Sequence, residues 1–324
     1  CQHPFVATPM HPNPSLQSRR PGLRLVSHAR ALLAVSALAA LAVSHRAVAQ
    51  IPVPTDIGNL GGGDAIAIAA ADGYVVGQSN TSSGATHAYV WSASTHTMVD
   101  IGALISGSDY NGATSVNSHG EVAGGASMQD GSTTGFYWSQ VTGLVSLGVI
   151  HQNYREPRLL INENGVVAGV AADDRLFRWT RTGGFTYLAT PPAGGGVITA
   201  INSRGDIIGN SGGQAYFVAG NSTTITQLTS PDPRPGEIIA KAINDNGMVV
   251  GYYAMAPYDS TGSGDWVSAR YAFKWDSSTP ATAANIKNLG SLSTNGTKWS
   301  EANGINNNGV IVGYSTLTNP PFVY

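Results

Sequence analysis

Few residues of this chain have the types and spacing that chemistry needs. Gly209-Asn210-Ser211-Gly212-Gly213 satisfies G-x-S-x-G, the pattern that presents a serine nucleophile on a strand-to-helix elbow. Asn244-Asp245-Asn246-Gly247 is rich in side-chain oxygen, as a calcium loop is, but the terminal carboxylate ligand of such a loop is missing. Asp173-Asp174 is the one adjacent pair of carboxylates, and glycoside cleavage needs two carboxyl groups at a defined separation. Beyond residue 49 the histidines are His87, His96, His119 and His151, and no two have metal-ligand spacing. Gly61-Gly62-Gly63 follows a strand pattern but opens no helix, which makes it a poor phosphate cradle. No metal and no cofactor is expected.

The elements that would have to hold these residues repeat. Aligned on a turn glycine, six copies are centred on Gly73, Gly120, Gly165, Gly205, Gly247 and Gly309, spaced 47, 45, 40, 42 and 62 residues apart. A second glycine follows four residues later in each: Gly77, Gly124, Gly169, Gly209, Gly251 and Gly313. Asn at the start of the turn can accept a backbone N–H two residues on, and Gly supplies the positive φ that closes it. The flanking β-branched residues suit a buried strand, so the unit reads as a hairpin. Gly209 is then the second repeat glycine, with Gly209-Asn210-Ser211 matching Gly77-Gln78-Ser79 and Gly313-Tyr314-Ser315, and the nucleophile reading of Ser211 falls away. An aromatic strand comes third, as in His87-Ala88-Tyr89-Val90-Trp91, and a short strand fourth, ending in Asp100-Ile101-Gly102. Aromatics that recur this regularly are expected to pack between stacked units rather than to form a sugar platform.

Composition agrees. The 324 residues are 42% apolar and 11% charged, with 40 glycines, which favours short strands and turns because Gly costs about 1 kcal/mol in a helix interior. Residues 1–49 differ: five arginines, no acid, an apolar run from Ala31 to Ser44, and Ala47-Val48-Ala49. This is the layout of a secretory signal peptide, and 14 apolar residues are too few to span a bilayer. Ser18-Arg19-Arg20 leaves twin-arginine export open beside the general route. The chain begins at Cys1 rather than Met, with Met10 a candidate start, and its only cysteine precedes the signal region. All 19 acids and 12 of the 17 basic residues lie beyond residue 49, a net charge of −7 without a basic cluster. Nucleic acid and anionic membrane are therefore not expected partners.

Asp56-Ile57-Gly58-Asn59-Leu60-Gly61-Gly62, the I-N-x-x-G-x-V-V-G hairpin, His87-Ala88-Tyr89-Val90-Trp91 and Asp100-Ile101-Gly102 together resemble the HAF repeats of bacterial extracellular proteins. Copies three and four depart from that pattern, with Arg175-Leu176-Phe177 and Gln214-Ala215-Tyr216 at the His-Ala-Phe triplet. The resemblance implies export and a repeat fold, and it carries no catalytic residues.

Four short strands in 40 to 47 residues predict an all-β fold, a β-propeller of four-stranded blades in residues 50–324. Six blades are favoured, with the stretch Ile51–Gly58 as an orphan fourth strand that closes the last blade; seven blades or a truncated array are the alternatives. Strand alternation puts the second-to-third loops and the links between blades on one face. That face holds Tyr258, Asp259, Asp265 and Trp266 in the longest loop, and His151, Tyr154 and Arg155 in a link. Long polar loops gathered on one face are where binding usually sits. The expected function is a non-catalytic, exported binding scaffold, extracellular, at the cell surface or in the periplasm. It would be a monomer whose partner is a glycan, a peptide or a cell-envelope ligand. A carbohydrate-active hydrolase or lyase and a structural passenger of a larger secreted protein are the alternatives.

Overall fold

In the computed structural model the structure describes residues 55–104, 110–127, 132–150, 159–234, 236–255, 258–259, 266–267, 269–292, 299–316 and 321–323. The expected signal region lies outside them. Every regular element among the described residues is a β-strand. Unit one is β1 (Gly61–Ala71), β2 (Tyr74–Thr81), β3 (Thr86–Ser92) and β4 (Thr97–Gly102). Unit two is β5 (Tyr110–Val116), β6 (Val122–Ser127), β7 (Thr133–Ser139) and β8 (Gly143–Ile150). Unit three is β9 (Leu160–Ile161), β10 (Val167–Val170), β11 (Leu176–Thr180) and β12 (Gly184–Tyr187). Unit four is β13 (Val197–Ile201), β14 (Ile207–Ser211), β15 (Gln214–Val218) and β16 (Thr226–Gln227). Unit five runs β17 (Gly236–Ile243), β18 (Met248–Met255), an inserted hairpin of β19 (Tyr258–Asp259) and β20 (Trp266–Val267), then β21 (Arg270–Asp276) and β22 (Lys287–Gly290). Unit six is β23 (Ser300–Ile305), β24 (Ile311–Ser315) and β25 (Pro321–Val323). Within each unit the strands pair antiparallel in chain order, and a parallel bridge between Gln214 and Ile238 joins units four and five.

The hairpins follow from the turn residues. In unit one Asp72 and Gly73 both have positive φ, 35° and 89°, and close a two-residue turn between Ala71 and Tyr74. The other five units use a longer turn, which the asparagine builds. Gly120 N donates to Asn117 O and Asn117 N to Glu121 O, and the same pair of bonds recurs around Asn162, Asn202, Asn244 and Asn306. The side-chain Oδ1 of Asn162 accepts the N–H groups of Asn164 and Val166 at 3.0 and 2.9 Å, and Asn117, Asn244 and Asn306 repeat that pair of bonds.

The second glycine has a different cause. Each first strand that carries a bulge, at Ile68, Thr114, Thr199, Lys241 or Asn303, brings its backbone over the second strand. A Cβ on Gly251 would run into the carbonyl oxygen of Ile239, and one on Gly77 into that of Ile66. Overpacking against backbone has no flexible side chain to yield. Gly251→Ala is expected to lower the unfolding free energy by about 2 kcal/mol, and an unchanged urea midpoint would count against this account.

Unit packs on unit through a fixed register. Two residues after the turn glycine the side chain faces the preceding unit, and three residues after it the side chain faces the following one, because neighbours on a strand point to opposite faces. Val76 thus shares a core with Val122, Ala123 with Val167, Ala168 with Ile207, Ile208 with Val249, and Val250 with Ile311. Aromatics fill the same interfaces: Tyr137 lies 5.1 Å from Trp179, and Phe217 meets Trp275 edge-on at 5.3 Å. They are core, as expected. Each fully buried Val or Ile contributes about 2 kcal/mol.

One expectation is overturned in part. Residues 51–54 lie outside the described residues, and residues 55–60 form no strand. Asp56 Oδ1 accepts Gly58 N at 2.9 Å and Asn59 Oδ1 accepts Gly61 N at 2.7 Å. These local turns, with Gly58 at φ 78°, keep Asp56–Gly58 out of a ladder.

Candidate functional site

The turn face of the molecule is held by an asparagine ladder. Asn117 Nδ2 donates to Asn162 O at 3.0 Å, Asn162 Nδ2 to Asn202 O at 2.9 Å, Asn202 Nδ2 to Asn244 O at 3.0 Å, and Asn244 Nδ2 to Asn306 O at 3.0 Å. Each asparagine thereby builds its own turn and clamps the next one. The calcium-like stretch is part of this ladder. Asp245 accepts Ser203 N at 2.8 Å and the Asn307 amide at 2.7 Å, so its oxygens are engaged across two neighbours.

The other candidates are similarly occupied. Ser211 Oγ donates to Gly194 O at 2.9 Å from the end of β14, without a helix after it. Asp173 pairs with Arg175 at 2.7 Å, and Arg175 lies 4.1 Å over the Tyr187 ring. Slight desolvation opposes ionisation of Asp173, and the Arg175 hydrogen bonds and charge outweigh it, holding the carboxyl below its ordinary range. An ionised, tethered carboxylate is a poor general acid. His87 pairs with Asp100 at 2.9 Å, and His119 sits in a ladder turn 3.9 Å from Glu163. Among the described residues no group of three or more His, Cys, Asp or Glu could hold a metal ion.

The opposite face carries the loops. Asp265, His151, Tyr154 and Arg155 lie outside the described residues. Tyr258 and Asp259 are on β19, whose backbone pairs Tyr258 with Val267 and Asp259 with Trp266, so the fold does bring Asp259 and Trp266 opposite one another. At the base of this hairpin stands a cluster that the sequence reading missed. Arg270 lies 4.1 Å over the Tyr252 ring and 5.0 Å from the Trp299 ring. Its guanidinium pairs with Glu237 at 3.3 Å and, closer still, with Glu301. Lys241 approaches the other Glu301 oxygen at 3.9 Å. The strands explain the meeting: Glu237 pairs with Ala254 and Ala254 with Arg270, while Glu301 is the second residue of the first strand of the next unit.

The electrostatics divide this cluster into a buried half and an open half. Glu301 is buried between two cations, whereas Glu237, Lys241 and Arg270 reach solvent. Burial pushes the Tyr252 phenol up to about 12, against the Arg270 charge and with help from Glu237 and Glu301. It therefore stays a neutral donor. Desolvation disfavours the charged Arg270, and Glu301, Tyr252 and Tyr314 together more than offset that. Trp299 Nε1 is buried without a hydrogen-bond partner among the described residues. A flat cation between two aromatic rings, with a half-exposed carboxylate beside it, offers stacking surface and directed hydrogen bonds at once. A sequence signal existed: Glu301 occupies the register position that Ile239 holds in unit five and Gly112 in unit two.

No family model and no curated protein matches the chain. It is similar to solved structures at low identity. An oligogalacturonate lyase in complex with manganese is 12% identical over 78% of this chain and 71% of that one, with a TM-score of 0.43. A putative TolB from Agrobacterium tumefaciens is 14% identical over 70% and 81%, with a TM-score of 0.37. TolB from Acinetobacter baumannii is 11% identical over 78% and 68%, with a TM-score of 0.36.

Proposed function

We propose that this chain is a HAF-repeat protein whose six units are blades of the propeller type, and that it works as a non-catalytic binding scaffold. The ligand face is the one that carries the loops, and its floor is Glu237, Tyr252, Arg270 and Trp299. The partner class is a glycan, a peptide or a cell-envelope ligand. One observation carries this reading. The candidate serine and carboxylates are tied to backbone or to ion pairs, and Arg270 lies against two aromatic rings with its ion-pair partner Glu237 half-exposed at the base of the longest loop. The basic and apolar N-terminal segment with Ala47-Val48-Ala49 supports export, to the cell surface, the medium or the periplasm.

The test is binding of the full chain to an array of neutral and acidic polysaccharides, peptidoglycan fragments and peptides. Glu237→Gln and Tyr252→Phe keep shape and remove one charge or one donor. Each is expected to weaken binding about tenfold, as loss of a directed contact does. Turnover of an array member, or affinity that neither substitution changes, would refute the assignment.

A further inference from the structure

One third-strand position helps to close the interfaces between units, and in unit one a small residue fills it. The residue paired with Val76, Ala123, Ala168 or Ile208 faces the following unit, and it is Val90, Tyr137, Arg178 and Phe217 in units one to four. The three large ones reach across. Tyr137 lies 5.1 Å from Trp179, Arg178 donates to Ser222 O of unit four, and Phe217 meets Trp275 at 5.3 Å. Trp179 and Trp275 are 8% and 2% exposed. Their counterpart in unit two is Trp138, which lines a cavity together with Val90 and stays half-buried. Where a longer side chain would lie there is a groove of about 340 Å³ on the turn face, at the lower end of the range for ligand pockets.

The lining is half apolar ring and half hydroxyl. Ring surface comes from Trp138 and from Tyr74, which lies so close to Gly120 that a Cβ there would come within 2.9 Å of it. Val99, cross-strand from Val90 and 44% exposed, carries the apolar surface to the rim. The hydroxyls come from the turn between β3 and β4. Those of Ser92 and Ser94 lie 2.9 Å apart, and those of Thr95 and Thr97 2.7 Å apart. Each pair engages one O–H internally and retains a second donor and lone pairs. Gln140 and His119, both exposed, add an amide and an imidazole. Among the described residues no Lys, Arg, Asp or Glu lines the groove.

We infer that this groove between units one and two binds a neutral sugar ring. The C–H face of a pyranose packs on the electron-rich face of an aromatic ring. Sugar hydroxyls donate and accept alike, as the serine and threonine hydroxyls do. A uronate or a phosphate would find no Lys or Arg to pair with. The groove lies on the face opposite the Arg270 cluster, and the inference stands independently of that site.

Calorimetric titration of the full chain with maltose, cellobiose, diacetylchitobiose and methyl α-mannoside tests this, with glucuronic acid as the acidic competitor. At least one neutral sugar is expected to bind, and glucuronic acid should not displace it. Val90→Tyr supplies the side chain that fills the same position in unit two, and it is expected to abolish that binding. Thr95→Val/Thr97→Val replaces two exposed hydroxyls by methyl groups. It is expected to weaken binding about tenfold with an unchanged far-UV circular dichroism spectrum. Glu237→Gln should leave it unchanged, which separates the groove from the loop face. The inference is overturned if no neutral sugar binds or if glucuronic acid displaces it equally well. It is also overturned if a folded Val90→Tyr chain or the double threonine variant binds as the unmodified chain does, or if Glu237→Gln weakens binding as much.

Discussion

Asn162→Ala is expected to lower the unfolding free energy by about 3 kcal/mol, because a buried polar group left without its partner costs about 1 to 3 kcal/mol. Asn162 is buried, and its side chain makes four hydrogen bonds: two accepted from its own turn, two donated to Asn202 O at 2.9 Å and Ser203 O at 3.4 Å. Alanine removes the turn's acceptor and the clamp on unit four together. Asn306→Ala is the internal control. Its Oδ1 makes the same two turn bonds, at 3.1 and 2.9 Å, but the side chain is exposed, so water can replace what is lost. That variant is expected to cost about 1 kcal/mol. Urea unfolding of both variants checks the difference, and equal losses would mean that the ladder's cross-unit bonds contribute nothing.

Arg178→Ala has the largest expected effect, about 4 kcal/mol, which lies at the exceptional end for a single substitution. The buried guanidinium of β11 reaches into unit four. It donates to Gly205 O at 2.9 Å, Ser222 O at 2.9 Å, Val218 O at 3.3 Å and Ala219 O at 2.7 Å. Desolvation pulls its pKa below the ordinary arginine value, and the Asp206 charge opposes that. Truncation orphans four carbonyls at once. Arg178→Lys should recover little, because an ammonium is a compact point donor that cannot reproduce the planar fork. Loss of less than about 1 kcal/mol in the alanine variant would show that water fills the site.

Much of this architecture was legible in the residues. Asn-x-x-Gly in five of the copies, with a β-branched residue two after the glycine in all six, named the hairpin, and all six turn glycines do have positive φ. The aromatic third strand was legible as core because its period repeats from unit to unit. The candidate site was less so. The loop face and the insertion between β18 and β21 followed from strand alternation, but Arg270, Glu237 and Glu301 did not stand out. They are 31 to 64 residues apart, the extremes being Arg270 to Glu301 and Glu237 to Glu301, and nothing local marks them as neighbours. Arg178 was hidden for the same reason: its four acceptors belong to the next repeat.

The sequence by itself determined what one repeat does alone: where the chain turns, which residues need positive φ, and which alternate to a buried face. These depend on contacts a few residues long, so residue type and spacing suffice. Only the tertiary structure decided what passes between repeats. It turned a calcium-like loop into a link of the asparagine ladder, and a G-x-S-x-G match into a strand end whose hydroxyl holds a neighbouring link. It also assembled an arginine, two aromatic rings and two glutamates into one partly buried cluster. Those outcomes depend on which atoms lie within about 3 Å across units, and a short local motif does not encode that distance.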